Sequence, residues 1–203
     1  MKNLFYLFLA ITLIGFTSCD DDDDPSGAGQ TLSQSVDASS KTDWQYFSFK
    51  DGTIVGTGKN NDEDNATWFA RKDWDIAIST YHVRTNSGLS TSVGSTGGVY
   101  TCDADVKYFD LVEVPAGSTF AVDKVIPVAG HGGTTDYIKS NAQVIQFELK
   151  EDGSMVMPPK YLPSPIYIFK TADGKETYKV NFTQYKNADG VSGHVEFDYA
   201  ILY

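Results

Sequence analysis

Residues 166–202 read IYIFKTADGKETYKVNFTQYKNADGVSGHVEFDYAIL. Three runs rich in Ile, Tyr, Phe, Val and Thr stand here: Ile166–Thr171, Thr177–Tyr185 and His194–Leu202. Such residues suit a pleated, half-buried surface. Asp173-Gly174 and Asp189-Gly190 separate the runs, and Asp-Gly is favoured in type I′ hairpin turns, where both central residues take positive φ. The segment therefore predicts an antiparallel meander that ends the chain. In His194–Tyr199 apolar residues alternate with His194, Glu196 and Asp198, which places His194 on the outward face beside two carboxylates. It reads as a solvated surface histidine.

The same punctuation extends toward the N-terminus. Asp51-Gly52 and Asp152-Gly153 are further turn signals, and strand-like runs occur at Trp44–Phe49, Trp74–Ser79, Gly98–Cys102, Phe120–Val128 and Gln143–Leu149. Amphipathic helices of normal length are missing; one short helix is expected around Tyr137–Asn141. The fold class expected is all-β, mostly antiparallel strands with at most a few short helices, in a single domain over residues 44–203. Residues 20 to about 40 hold Asp, Ser, Gly, Gln and Ala with little to bury, and read as a flexible tether.

The first residues have a different character. Lys2 precedes Leu4–Phe16, thirteen residues in which only Thr12 is polar. That run is shorter than the ~20 residues a helix needs to cross ~30 Å of hydrocarbon, and it reads as a secretory signal. It ends in Phe16-Thr17-Ser18-Cys19, which looks like a lipobox. The expectation is a lipoprotein signal peptide at 1–18, lipid on Cys19, and a tether over 19–43. Asp20–Asp24, five carboxylates in a row, stays solvated; it resembles an acidic signal for surface export, and a plain spacer reads equally well.

A formal net charge of −11 and the lack of any basic run argue against nucleic-acid binding, which needs clustered Lys and Arg. Beyond Cys19 the sole cysteine is Cys102, so the folded part has no disulfide, and a small buried hydrophobe is its simplest role. The sequence has no Gly-x-Ser-x-Gly elbow, His-Glu-x-x-His or phosphate-binding loop, and its histidines are His82, His131 and His194. An enzyme is not expected; a secreted hydrolase would need a histidine beside a nucleophile.

His131 differs from the other two. It stands in Ala129-Gly130-His131-Gly132-Gly133, where glycines let backbone approach a bound group. Met155 and Met157 precede Pro158-Pro159 and, as strand residues, would share one face ~6.6 Å apart. Ordinary loop exposure of His131 and core filling by the methionines are the plain alternatives. Histidine and thioether together form an axial pair for haem iron. Such ligands approach from opposite faces of the macrocycle, so His131 could pair with Met157 or Met155, whereas the two methionines could hardly pair with each other. Tyr137, Tyr161 and Tyr167 could wall a flat apolar ligand.

Trp74-Asp75-Ile76-Ala77-Ile78, continuing to Val83-Arg84-Thr85-Asn86-Ser87-Gly88, resembles the central signature of the HmuY family of haem-binding outer-membrane lipoproteins. So do Met157-Pro158-Pro159-Lys160-Tyr161, Ile166–Lys175, Tyr178–Phe182 and Gly193–Phe197. The likeness covers about 44–203. It implies a haemophore-like binding protein that takes haem, iron protoporphyrin IX, from host haemoproteins and passes it to a TonB-dependent outer-membrane receptor. The implied location is the outer membrane, at the cell surface through a lipid anchor. The resemblance does not itself carry the iron ligands, because the family's ligand loops vary and this sequence has no second loop histidine for a bis-His pair; the candidates remain His131 with Met157 or His131 with Met155, with a single ligand or no haem also open. The rival expectation is a non-haem surface lipoprotein that binds carbohydrate or a protein partner on the same scaffold, with Trp44, Trp68 and Trp74 available for stacking.

Overall fold

The computed structural model describes residues 29–203 apart from His131, Gly132 and Gly153. Two antiparallel sheets face each other. The larger has the order β1 (Leu32–Asp37), β13 (Ser192–Leu202), β12 (Thr177–Lys186), β11 (Tyr167–Lys170) and β6 (Gly98–Thr101). The smaller has the order β3 (Thr53–Lys59), β2 (Asp43–Ser48), β4 (Ile76–Ser79) and β5 (His82–Thr85). The C-terminal meander forms as expected: β11 pairs with β12, and β12 with β13.

Register explains the core. Phe182 lies opposite Phe197 and Val180 opposite Tyr199, so alternate residues of both strands point at the smaller sheet. There they meet Phe47, whose ring stands edge-on to Phe197 at 5.4 Å and to Tyr199 at 5.7 Å. Edge-to-face pairs of this kind contribute about 0.5–1.5 kcal/mol each beyond the area they bury. The other face of each sheet is also covered, which is why β4 and β5 are buried along their whole length.

On the smaller sheet the cover is α1 (Asp62–Phe69). Asn61 caps it by accepting from the Asp64 backbone N–H at 2.8 Å, and acidic residues fill the first turn, where the helix dipole favours them. Trp68 of α1 stacks on Tyr46 at 3.9 Å. It fits because the opposing β3 residue is Gly58, where a Cβ would lie 2.3 Å from the Trp68 Nε1. On the larger sheet the cover is the chain around Cys102–Leu111; Lys179 reaches through from β12 and donates to the carbonyls of Tyr108 and Leu111 at 3.0 and 2.9 Å.

Several expectations are corrected. The helix expected at Tyr137–Asn141 is instead the end of β8 (Gly133–Lys139), because Tyr137 and Ile138 are held in a ladder with β7 (Lys124–Gly130). The helix that forms, α1, lies in the polar stretch between β3 and β4, where the hydrophobic pattern is weak. The sheet begins earlier than Trp44: β1 pairs with β13 from Leu32↔Tyr199 to Asp37↔His194, so part of the expected tether is an edge strand. The three described Asp-Gly pairs are not type I′ turns. Gly52, Gly174 and Gly190 take φ of +62°, +73° and +77°, while Thr80 is the sole non-glycine with positive φ among the described residues. Where these pairs join β11 to β12 and β12 to β13, the connections are longer than two residues, and a single left-handed glycine closes each.

Candidate functional site: an aromatic floor between two hairpin arms

At one end of the sandwich, two arms project from the sheets. The first is the β7–β8 hairpin, paired without interruption from Lys124↔Lys139 to Gly130↔Gly133. The second begins where β9 (Ile145–Phe147) pairs with β10 (Tyr161–Pro163). It continues outward through Glu148 N–H to the Lys160 carbonyl, Val156 N–H to the Glu148 carbonyl, and a bridge between Leu149 and Met155.

The first arm is fixed at its base through both of its strands. Arg84 of β5 donates from Nε to the Ile138 carbonyl at 2.9 Å, and from a terminal nitrogen to the Tyr46 hydroxyl and Asn65 Oδ1 at 3.0 Å each. Its guanidinium lies 4.1 Å over the Trp44 ring. Asp123, just before β7, is buried and accepts from the Thr85 N–H, the Thr85 hydroxyl and the Ser90 hydroxyl. Burial outweighs those bonds and pushes its carboxyl up to about 6.

Between the arms the sheet ends carry rings. Tyr81 sits in the two-residue turn joining β4 to β5, after Thr80, whose φ of +52° is uncommon for a β-branched residue. Its ring is 5.1 Å from Phe147 and 6.4 Å from Tyr185 at the end of β12. Tyr161 of β10 lies 5.5 Å from Phe147 and 5.9 Å from Tyr185. His82 packs 4.2 Å from Tyr81 and 4.8 Å from Tyr137 on the first arm. Burial holds the His82 imidazole down at about 4 and pushes the Tyr185 phenol up to about 12, so the floor is uncharged near neutral pH.

The structure places the expected site residues unevenly. His131 lies outside the described residues, between Gly130 and Gly133 at the junction of β7 and β8. Cys19 and the signal segment also lie outside them. Met155 and Met157 both belong to the second arm, with exposures of 37% and 66%. Strand alternation does not run through both, because Met155 is in the bridge to Leu149 while Met157 lies beyond the last ladder contact at Val156. Core filling is therefore not their role. Leu149, Tyr161 and Leu162 are exposed on the same arm. Tyr137 packs on His82, and Tyr161 on Phe147 and Tyr185; Tyr167 is buried in the core with its hydroxyl accepting from the Gln143 N–H.

Sequence reasoning missed His82, Tyr81, Phe147 and Tyr185 as floor residues. Their segments are far apart in the chain, and no local spacing could have joined them. His194 is a partly exposed side chain, with Nδ1 3.8 Å from Asp37. Cys102 is buried, and its thiol is pushed up to about 11, so it is inert. A cavity of about 420 Å³ at the β2–β3 and β11–β12 turns is lined by Lys50, Asp51, Asp75, Asp173 and Glu176 among others. Its charged walls, at the opposite end of the sandwich, do not suit an apolar ligand. Among the described residues no His, Cys, Asp and Glu cluster could hold a metal ion by itself, and no helix is long and apolar enough to cross a membrane.

The fold is a β-sandwich with two hairpin arms rising beside a cluster of rings at one end. The profile of the HmuY protein family matches residues 40–199, and the chain belongs to that family. The family is associated with haem, and its members are binding proteins rather than enzymes. Among solved structures, the fold is similar to a Bacteroides vulgatus protein provisionally named a HmuY-like haem-binding protein. That match has 21% identity, covers 83% of this chain and 90% of the other, and has a TM-score of 0.59. A protein of Bacteroides fragilis provisionally classed as a lipoprotein is also similar (21% identity, 84% and 89% coverage, TM-score 0.56). So is the apo HmuY analogue of Tannerella forsythia (19%, 87% and 98%, TM-score 0.54). The sequence matches no curated protein.

Proposed function

We propose that this chain is a haemophore-like lipoprotein that seats haem between its two arms and does no catalysis. One observation carries the reading: a floor of uncharged rings lies between an arm whose two strands join through His131 and an arm that exposes two thioethers. When bound, haem would offer an iron open to side-chain ligation and a flat apolar macrocycle. The donor set fits it, since Met155 and Met157 are accessible rather than core-packed, and Phe147, Tyr161 and Tyr137 offer apolar surface. His131 with Met157 is the proposed pair, with Met155 as the alternative thioether.

The chain enters the larger sheet at Gly29, whose N–H donates to the Ile201 carbonyl. That is the end of β13 remote from Ser192, which lies opposite Lys186 on the groove side. A lipid on Cys19 would thus attach the domain at the end remote from the groove, leaving the groove open at the cell surface to host haemoproteins. A TonB-dependent receptor in the outer membrane is the proposed recipient of the haem.

The test is a haem titration of the mature chain, with Cys19→Ser for solubility, read by absorbance in air and then with dithionite. A saturable Soret shift at one haem per chain, altered in His131→Ala and in Met157→Ala, is expected. A spectrum equal to that of haem with an inert protein in both redox states retires the reading, and the carbohydrate or protein-partner alternative then takes its place.

A further inference from the structure

Resting on that reading, we infer that Lys186 binds a haem propionate and so sets the macrocycle's orientation in the groove. Lys186 is the last residue of β12, and its Nζ lies 4.7 Å over the Tyr161 ring at the rim of the aromatic floor. Its neighbour on the second arm, Lys160, is neutralised by Glu148 at 3.0 Å. Among the described residues no carboxylate pairs with Lys186. Several surface lysines lack a carboxylate partner; what distinguishes Lys186 is that its charge lies over a ring of the floor.

The cation is not there to balance a phenolate, because burial raises the phenols of Tyr81 and Tyr185 and keeps them neutral. What the rim offers is an apolar surface with a positive charge at its edge. Protoporphyrin has the complementary form, an apolar disc with its two carboxylates on one side. The scale also agrees. Met157 precedes Tyr161 by four residues, at most about 13 Å of extended chain. An iron held near the thioether would leave the propionate side within reach of the Lys186 ammonium. A bidentate arginine is not needed for this; a point charge on a flexible stem suits a solvent-facing carboxylate.

The experiment compares wild type and Lys186→Gln for binding haem and haem dimethyl ester, in which both propionates are blocked. Iron-free protoporphyrin and its dimethyl ester are run in parallel by fluorescence, which removes axial ligation from the readout. Lys175→Gln, at the far end of the sandwich, controls for net charge. Lys186→Gln is expected to weaken the free acids about threefold, the size of an exposed ion pair. It should leave the esters unchanged, with the difference shrinking in high salt. Equal weakening of acids and esters, or no change in either, overturns the assignment of Lys186 while leaving haem capture standing. Wild type that binds none of the four ligands overturns the functional reading and this inference with it.

Discussion

Replacing Gly58 by Ala tests the packing that seals the back of the smaller sheet. The glycine does not take a left-handed φ, so alanine is conformationally free there. In an open site the change would stabilise by about 0.4–1 kcal/mol through the unfolded chain. Here the new Cβ would lie 2.3 Å from Nε1 and 2.5 Å from Cδ1 of Trp68, more than an ångström inside ordinary contact. The indole cannot simply slide, because Tyr46 stacks on it at 3.9 Å and Arg71 lies over it at 4.1 Å. Overpacking of about 1–3 kcal/mol and weakened stacking of about 0.5–1.5 kcal/mol, less the unfolded-state gain, leave a loss of about 2–3 kcal/mol. For a domain of this size that lowers Tm by roughly 5–10 °C. Urea unfolding followed by tryptophan fluorescence measures it directly, since Trp44, Trp68 and Trp74 share one buried cluster. A Gly58→Ala protein as stable as wild type, or more so, would refute the close approach of Trp68 to β3.

Arg84→Leu should cost about 3 kcal/mol or more, because the Ile138 carbonyl and the Tyr46 hydroxyl lose a charged donor. Hydrogen exchange should quicken along β8; unchanged protection there would mean the arm is anchored elsewhere. Two buried groups make opposite contributions to pH dependence. His82 titrates at about 4 in the fold against 6.5 unfolded, so the native state binds fewer protons and this stability is lost as pH falls through that window. Asp123 titrates at about 6 in the fold against 3.8, so its contribution is lost as pH rises through about 4–6. The stability gap between wild type and His82→Phe should therefore narrow on acidification and that for Asp123→Ala on alkalinisation, each by about 3 kcal/mol. Gaps that stay constant with pH would show that neither group is shifted. A thioether favours ferrous iron, so wild type should hold haem more tightly with dithionite than in air, and Met157→Ala should lose that preference. Equal affinity in both states, measured by competition, would exclude Met157 as a ligand.

Much of the fold was legible in the chain because strand signals are local. Each of the eight apolar runs carries a strand or most of one, since β-branched and aromatic alternation needs no knowledge of the partner. The missed elements share a cause. β1, LSQSVD, is an edge strand exposed on most of its length, and only its pairing with β13 makes it a strand. α1 has little apolar periodicity and rests on its Asn61 cap and two buried rings, Trp68 and Phe69. Tyr137 and Ile138 gave a helix-like reading because their partners, Ile126 and Val125, stand a dozen residues away.

For the site, residue types in one short stretch were enough to single out Met155 and Met157 beside Pro158. The family signature around Trp74–Gly88 was likewise readable without coordinates, because Asp75, Arg84 and Asn86 are buried polar groups with dedicated hydrogen-bond partners. The floor was not readable. Tyr81, His82, Phe147, Tyr161 and Tyr185 come from five separate elements or turns and converge only when the two sheets pack and the arms rise from their ends. Composition and alternation along this sequence determined that it makes strands and which faces are apolar. Which strand ends meet, and hence where a flat ligand could rest, was decided by long-range pairing, because ring-to-ring contact across a sandwich leaves no periodic trace in the chain.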